Sequence, residues 1–312
     1  MSGAIAALAI ALGAWPLAAQ QAPALPFALK AIGPGVYAAI DGPKGEAGSN
    51  AGFVIGDDGV LVVDSFYNEA ATKALIGEIH RLTPLPIRYV VNTHYHIDHT
   101  GGDAVLREAG AIIVAHKNER GWVRTENAHL FGERVTPALQ ARIAALALPD
   151  VTTDAPLTIW LGQRKVEVQP VLGHTGGDLA VRVPDAHVLF AGDLLWRHVS
   201  PNIIDGNVAE WIATADAMAT DAGVTSFVPG HGDVATAADV KDFAGYLRDL
   251  RALVAKERKA GLSGAALVTA ALPEFKQKHG DWEAFGYFAP KELGFMDDEL
   301  AGKKRRPVPV GE

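Results

Sequence analysis

Short apolar runs broken by Gly, Pro and Asp occupy two separate halves of the chain. In the first half, residues 36–40, 51–55 and 60–63 are apolar and rich in β-branched side chains, which predicts strands. Gly56-Asp57-Asp58-Gly59 is the strongest turn signal between them. Residues 68–82 carry a helical period that ends before Pro84. Ile87–Val91 reads as a buried strand. Asp103 is placed to cap a helix over 104–109, and a strand follows over 111–115. A mostly helical connection over 117–149 leads to the second half. There, strands are predicted at 157–161, 165–171, 179–183, 187–191 and 224–228, with a helix at 208–222. A long helical segment over 237–259 and shorter pieces to about 288 complete the pattern. Strands alternating with helices in two halves predict two sheets packed together with helices outside.

Composition narrows the class. Hydrophobic residues make up 49% of the 312, enough for a sizeable core. Acidic residues outnumber basic ones by 36 to 28, a net −8 that disfavours a nucleic-acid surface. The one basic cluster, Lys303 to Arg306, lies in a Pro-containing tail and is expected to be solvated and mobile. Without cysteine, any bound metal must take nitrogen and oxygen donors. The apolar run Ile5 to Leu12, followed by small residues, resembles a secretory signal and is too short to span a bilayer. The reading is therefore a signal segment over 1–20 and a periplasmic or secreted domain over 21–312, with a C-terminal helical extension from about 236.

The chemistry concentrates after the strand at Ile87–Val91. His94, His96, Asp98 and His99 put three imidazoles and a carboxylate into six positions, more ligand-type side chains than a packing role explains. His174, Asp193 and His231 each follow an apolar strand and are flanked by glycine, which lets backbone turn tightly beside a bound ion. The total is five His and two Asp, enough for two metal shells. Arg197 and His198 follow Asp193 in an expected rim loop, where Arg197 could pair with a substrate carboxylate. His116 and His129 could face the cleft from the connecting segment, and Trp122 and Phe131 could form an apolar wall, with core packing the first reading.

This ordered set resembles the metallo-β-lactamase fold superfamily, over about Gly35 to Gly232. The resemblance implies an αβ/βα four-layer sandwich, two mixed β-sheets with helices on the outer faces and metals in a cleft at one edge. It further implies that His94, His96 and His174 bind a first zinc, that Asp98, His99 and His231 bind a second, and that Asp193 bridges them. Asp64 would support the site without binding metal. His96 favours two zinc ions over the di-iron members, with iron or manganese still open. Two such ions can share a hydroxide that attacks a carbonyl, Asp98 both binding metal and orienting the nucleophile. The reading is a β-lactamase-like hydrolase of a small-molecule cyclic amide or ester. A thioesterase of glyoxalase II type or a lactonase is the second reading, and a non-catalytic periplasmic zinc-binding accessory protein the third. No nucleic-acid or protein partner and no membrane span are expected.

Overall fold

The computed structural model describes residues 24–42 and 44–308; the expected signal segment lies outside the described residues. A first sheet is built from β1 (Phe27–Gly33), β2 (Val36–Asp41), β3 (Ala51–Ile55), β4 (Val60–Val63), β5 (Ile87–Val91), β6 (Ile112–His116) and β7 (Val151–Thr153), adjacent in that order. It is antiparallel from β1 to β4 and parallel from β4 to β7. Its helices are α1 (Glu69–Leu82), α2 (Ile97–Thr100) and α3 (Asp103–Glu108). The connection carries α4 (Glu119–Thr125), α5 (Asn127–Phe131) and α6 (Pro137–Ala144).

The second sheet has β8 (Leu157–Leu161), β9 (Arg164–Val171), β10 (Asp178–Val183), β11 (Val188–Trp196) and β12 (Ser226–His231), in the order β12-β11-β10-β9-β8. Only the β11–β12 pair is parallel, so both sheets are mixed. Around it lie α7 (Val208–Thr220), α8 (Ala237–Lys259), α9 (Gly264–His279) and α10 (Phe285–Leu300).

The period of β4 explains the layering. Leu61 and Val63 join Val168, Val181 and Phe190 between the sheets, while Val60 and Val62 point outward under α1 with Leu75 and Ile79. A strand buried on both faces reads as a continuous apolar run, as this one does. On the far side, α7 to α10 cover the outer face of β11 with a core that includes Leu195, Trp211, Phe243 and Leu293. The result is the expected four-layer sandwich.

Three local expectations change. Asp103 does not cap: it is the first residue of α3, and its buried carboxylate accepts from Ser65 Oγ at 2.7 Å and Asn92 Nδ2 at 2.7 Å. Strand β11 runs past residue 191 to Trp196, so Asp193 lies inside a strand and not after one. The basic tail is pinned, because the Lys304 side chain is 3% exposed and its ammonium donates to Gly206 O at 2.7 Å and meets Glu299 Oε2 at 3.0 Å. Arg305 pairs with Glu126, and Trp122 Nε1 donates to Val308 O.

Candidate metal centre

The chain delivers seven donors to one place, six from strand ends or the turns after them and one from inside a strand. After β5, the backbone carries His94 and His96 into α2, which holds Asp98 and His99. His174 follows β9, Asp193 lies in β11 and His231 ends β12. Asp193 faces both ways. Its Oδ2 is 3.3 Å from His174 Nε2 and 3.8 Å from His94 Nε2. Its Oδ1 is 3.1 Å from His99 Nε2 and 3.5 Å from His231 Nε2. His174 Nε2 is also 3.0 Å from His96 Nδ1, and His231 Nε2 is 3.3 Å from Asp98 Oδ2.

Two groups could therefore hold a metal ion, His94 with His96, His174 and Asp193, and Asp98 with His99 and His231. Within each group the donor atoms lie within 4.8 Å of one another. Ligands on a tetrahedral zinc at about 2.0–2.1 Å sit about 3.3 Å apart, close to the spacings above. The fit has a second mark. His94 Nε2, His99 Nε2, His231 Nε2 and Asp193 Oδ1 are buried and make no hydrogen bond, although they approach one another closely. Buried polar atoms without partners are costly, and convergence on a shared cation is the arrangement that satisfies all four.

Electrostatics agree. Burial, reinforced by the neighbouring imidazoles, pushes His94 well below the ordinary histidine range, and burial lowers His174 to about 3, so both present neutral lone pairs. For His99 and His231 burial acts in the same sense but is outweighed by Asp193, with Asp64 and Asp98 adding at His99 and Asp98 at His231. His99 rises well above its ordinary value and His231 to about 9. Between these carboxylates the fold favours positive charge.

The outer atoms of the donors are held as well. Asp64 Oδ2 meets His99 Nδ1 at 2.8 Å, and the same carboxylate accepts from Thr93 N at 2.7 Å and Thr93 Oγ1 at 2.9 Å. Asp64 does this from a left-handed backbone, φ 60°, which is strained for a residue with a side chain. Asp205 accepts from Tyr95 Oη at 2.5 Å and lies 3.4 Å from His96 Nε2. Ser49 Oγ donates to Asp98 O at 2.6 Å, and Trp196 stacks on the His231 ring at 4.0 Å. Gly230 is required here, since a Cβ at that position would lie 1.8 Å from Asp193 Oδ1. Sequence reasoning found Asp64 but missed Ser49 and Asp205. The only trace of Asp205 is an acid just after the apolar pair Ile203-Ile204.

Asp98 is the carboxylate that opens outward, with its side chain 27% exposed against 2% for Asp193. It lines a cavity of about 220 Å³ with Tyr67, Phe131, Asn202 and Phe288. Neither Arg197 nor His198 lines it. Arg197 meets Asp239 at 3.0 Å and Asp233 at 3.9 Å, and His198 lies against Trp282 near Asp242. Phe131 forms cleft wall, whereas Trp122 packs on Tyr95 as core. His129 lines a second cavity adjoining the first, and His116 is buried beside Asn118.

A sandwich of this topology with these donors at one sheet edge defines a metal-dependent hydrolase fold, and the chain belongs to the metallo-beta-lactamase superfamily, whose family model matches residues 45–231. Among relatives, it is 29% identical over 200 residues to a metallo-beta-lactamase type 2 of Bacillus cereus, covering 61% of this chain and 70% of that one. A hydroxyacylglutathione hydrolase of Brucella ovis is 26% identical over 144 residues, 46% of this chain and 47% of the relative. The crystal structure of the metallo-beta-lactamase FIM-1 from Pseudomonas aeruginosa in its mono-zinc form superposes with a TM-score of 0.58 at 22% identity, covering 72% of this chain and 95% of that one. Among the described residues no helix is long and apolar enough to cross a membrane.

Proposed function

We propose that this chain is a dinuclear zinc-dependent hydrolase, β-lactamase-like, that opens a cyclic amide or ester of a small molecule outside the cytoplasm. The observation that carries it is Asp193, one oxygen turned to His94 and His174 and the other to His99 and His231. In this reading His94, His96 and His174 hold one ion, Asp98, His99 and His231 the other, and Asp193 lies between. Zinc so held supplies Lewis acidity toward a carbonyl and water acidified to a pKa of about 7. The chain's own part is positional. Asp64 and Asp205 fix the rings of His99 and His96, and buried side chains keep bulk water from the donors. Asp98, open to the cavity, accepts a hydrogen bond from the attacking water and orients it toward the substrate.

Thioester or lactone hydrolysis is the second reading, favoured by the likeness to a hydroxyacylglutathione hydrolase. Metal analysis beside steady-state rates on β-lactams, S-lactoylglutathione and acyl-lactones tests both. Two zinc per chain with metal-dependent β-lactam turnover is expected. Turnover of S-lactoylglutathione alone moves the assignment to the second reading, and iron or manganese restoring more activity than zinc revises the metal. The mass of protein recovered from periplasm, expected to lack about the first 20 residues, tests export.

A further inference from the structure

The cavity that exposes Asp98 does not end at the donors. It adjoins an outer cavity of about 360 Å³, and both are lined by Phe131, Arg134, Tyr287 and Phe288. Lys291 lines the outer one. Along this path the chemistry changes in order. Asp98 and Tyr67 line only the inner cavity, Arg134 and the rings of Phe131, Tyr287 and Phe288 line both, and Lys291 lines only the outer one, as does Glu133. Lys291 Nζ sits 3.4 Å from the Tyr287 ring centroid, and Arg134 Cζ lies 5.5 Å from the same ring. The Tyr287 hydroxyl is drawn below its usual range by its hydrogen bond to Lys291, with Arg134 adding to the pull. Neither cation has a carboxylate within salt-bridge distance among the described residues, although the chain carries a net −8. They come from opposite sides of the cleft, Arg134 from the segment after α5 and Lys291 from α10. Holding the two walls together does not require charge on both, because like charges around one ring repel.

We propose that Arg134 and Lys291, gathered on Tyr287, are the anion-recognition end of the substrate site, selecting a substrate with a carboxylate separated by an apolar body from its scissile carbonyl. This rests on the hydrolase reading above and specifies its substrate class. Guanidinium and ammonium donors give a carboxylate charge-assisted hydrogen bonds, and the aromatic middle covers the apolar body. Because both cations are exposed, each contributes modestly, and the pair is expected to favour an acid over its neutral analogue by about tenfold.

The test is calorimetric titration of the zinc-loaded full chain with 4-phenylbutyrate and, separately, 4-phenylbutyramide. The acid is expected to bind about tenfold tighter, and Arg134→Gln with Lys291→Gln to abolish that preference without changing zinc content. Arg134→Lys with Lys291→Arg, which keeps both charges, is expected to retain most of it. Equal binding of acid and amide, binding of neither, or a preference that survives the double Gln variant overturns the proposal; in the last case the zinc ions hold the carboxylate. A kinetic arm compares an aryl ester that carries a carboxylate across its ring from the scissile carbonyl with the neutral carboxamide analogue, and the double Gln variant is expected to lose the difference in KM. Failure to hydrolyse any panel substrate defeats the hydrolase reading alone, since the titration needs no turnover.

Discussion

The floor of the cleft and its wall are built on opposite principles. On the floor, His94, His96, His99, His174 and Asp193 are buried, and side chains such as Thr93, Asp64 and Asp205 fix the rings of three of the four histidines from outside. On the wall, Tyr287, Arg134 and Lys291 are exposed, and both cations lie over the Tyr287 ring. The floor fixes reacting groups to a fraction of an ångström, which hydrolytic chemistry needs and which only a supported network provides. The wall leaves room for change, so substrate choice can differ between relatives that share the floor.

If that contrast holds, damage to the floor is costly in proportion to how many donors it disturbs. Asp193→Asn touches four histidines at once. It is expected to lower kcat/KM by about 10³-fold or more, corresponding to about 4 kcal/mol, and to leave at most one zinc per chain. Metal content and rates on the same preparation check this; an active two-zinc variant breaks the picture. Gly230→Ala comes next. Its Cβ would lie 1.8 Å from Asp193 Oδ1, so the carboxylate must turn or β12 must shift. About a hundredfold loss of kcat/KM and about 1–3 kcal/mol of stability are expected, read by kinetics and chemical denaturation. Asp205→Asn acts one step further out, keeping a hydrogen bond to Tyr95 but losing the charge opposite His96 Nε2. Zinc affinity is expected to fall about 10- to 100-fold, measured by competition with a chelator. No change there would make Asp205 a support of Tyr95 only.

The same contrast explains what the amino-acid order revealed. The floor was legible because its donors are of a chemically rare kind, crowded at 94–99 or set beside glycines at strand ends. The core strands were legible because burial on both faces leaves unbroken apolar runs such as Val60–Val63. The short edge strand β7, with Val151 and Thr152 exposed, and the N-terminal edge strand β1 gave no such run. Arg197 looked like a substrate ligand by its place after Asp193. Strand β11 continues past Asp193 to Trp196, and the chain then turns Arg197 toward the α8 capping residue Asp239. Of the wall only Phe131 was open to reading, because Arg134, Tyr287 and Lys291 join it only when α10, some 150 residues later, packs back over the cleft. Each alone is an ordinary surface or core residue.

The smallest expected effect on turnover lies in how the wall is attached. Glu292, on the buried face of α10, accepts a hydrogen bond from Tyr246 Oη of α8 at 2.5 Å, and no cation lies beside it among the described residues. Burial raises its carboxyl to about 8 from an ordinary 4.5. The folded chain therefore binds a proton at Glu292 that the unfolded chain releases. The stability this contributes is full below pH 4.5, declines as pH rises toward 8, and is flat above. The slope from this one group is at most about 1.4 kcal/mol per pH unit. Asp103 and Asp178, buried and raised to about 7 and about 8, slope the same way, so the quantity to measure is the difference between wild type and Glu292→Gln. Unfolding free energies from urea titrations at pH 5, 6.5 and 8 are expected to converge on or fall below the variant's as pH rises, with rates at the metal centre altered less than by any floor substitution. A wild type that gains stability over Glu292→Gln between pH 5 and 8 would mean that the carboxylate is held charged, and that α10 is anchored by an ion pair instead of a neutral hydrogen bond.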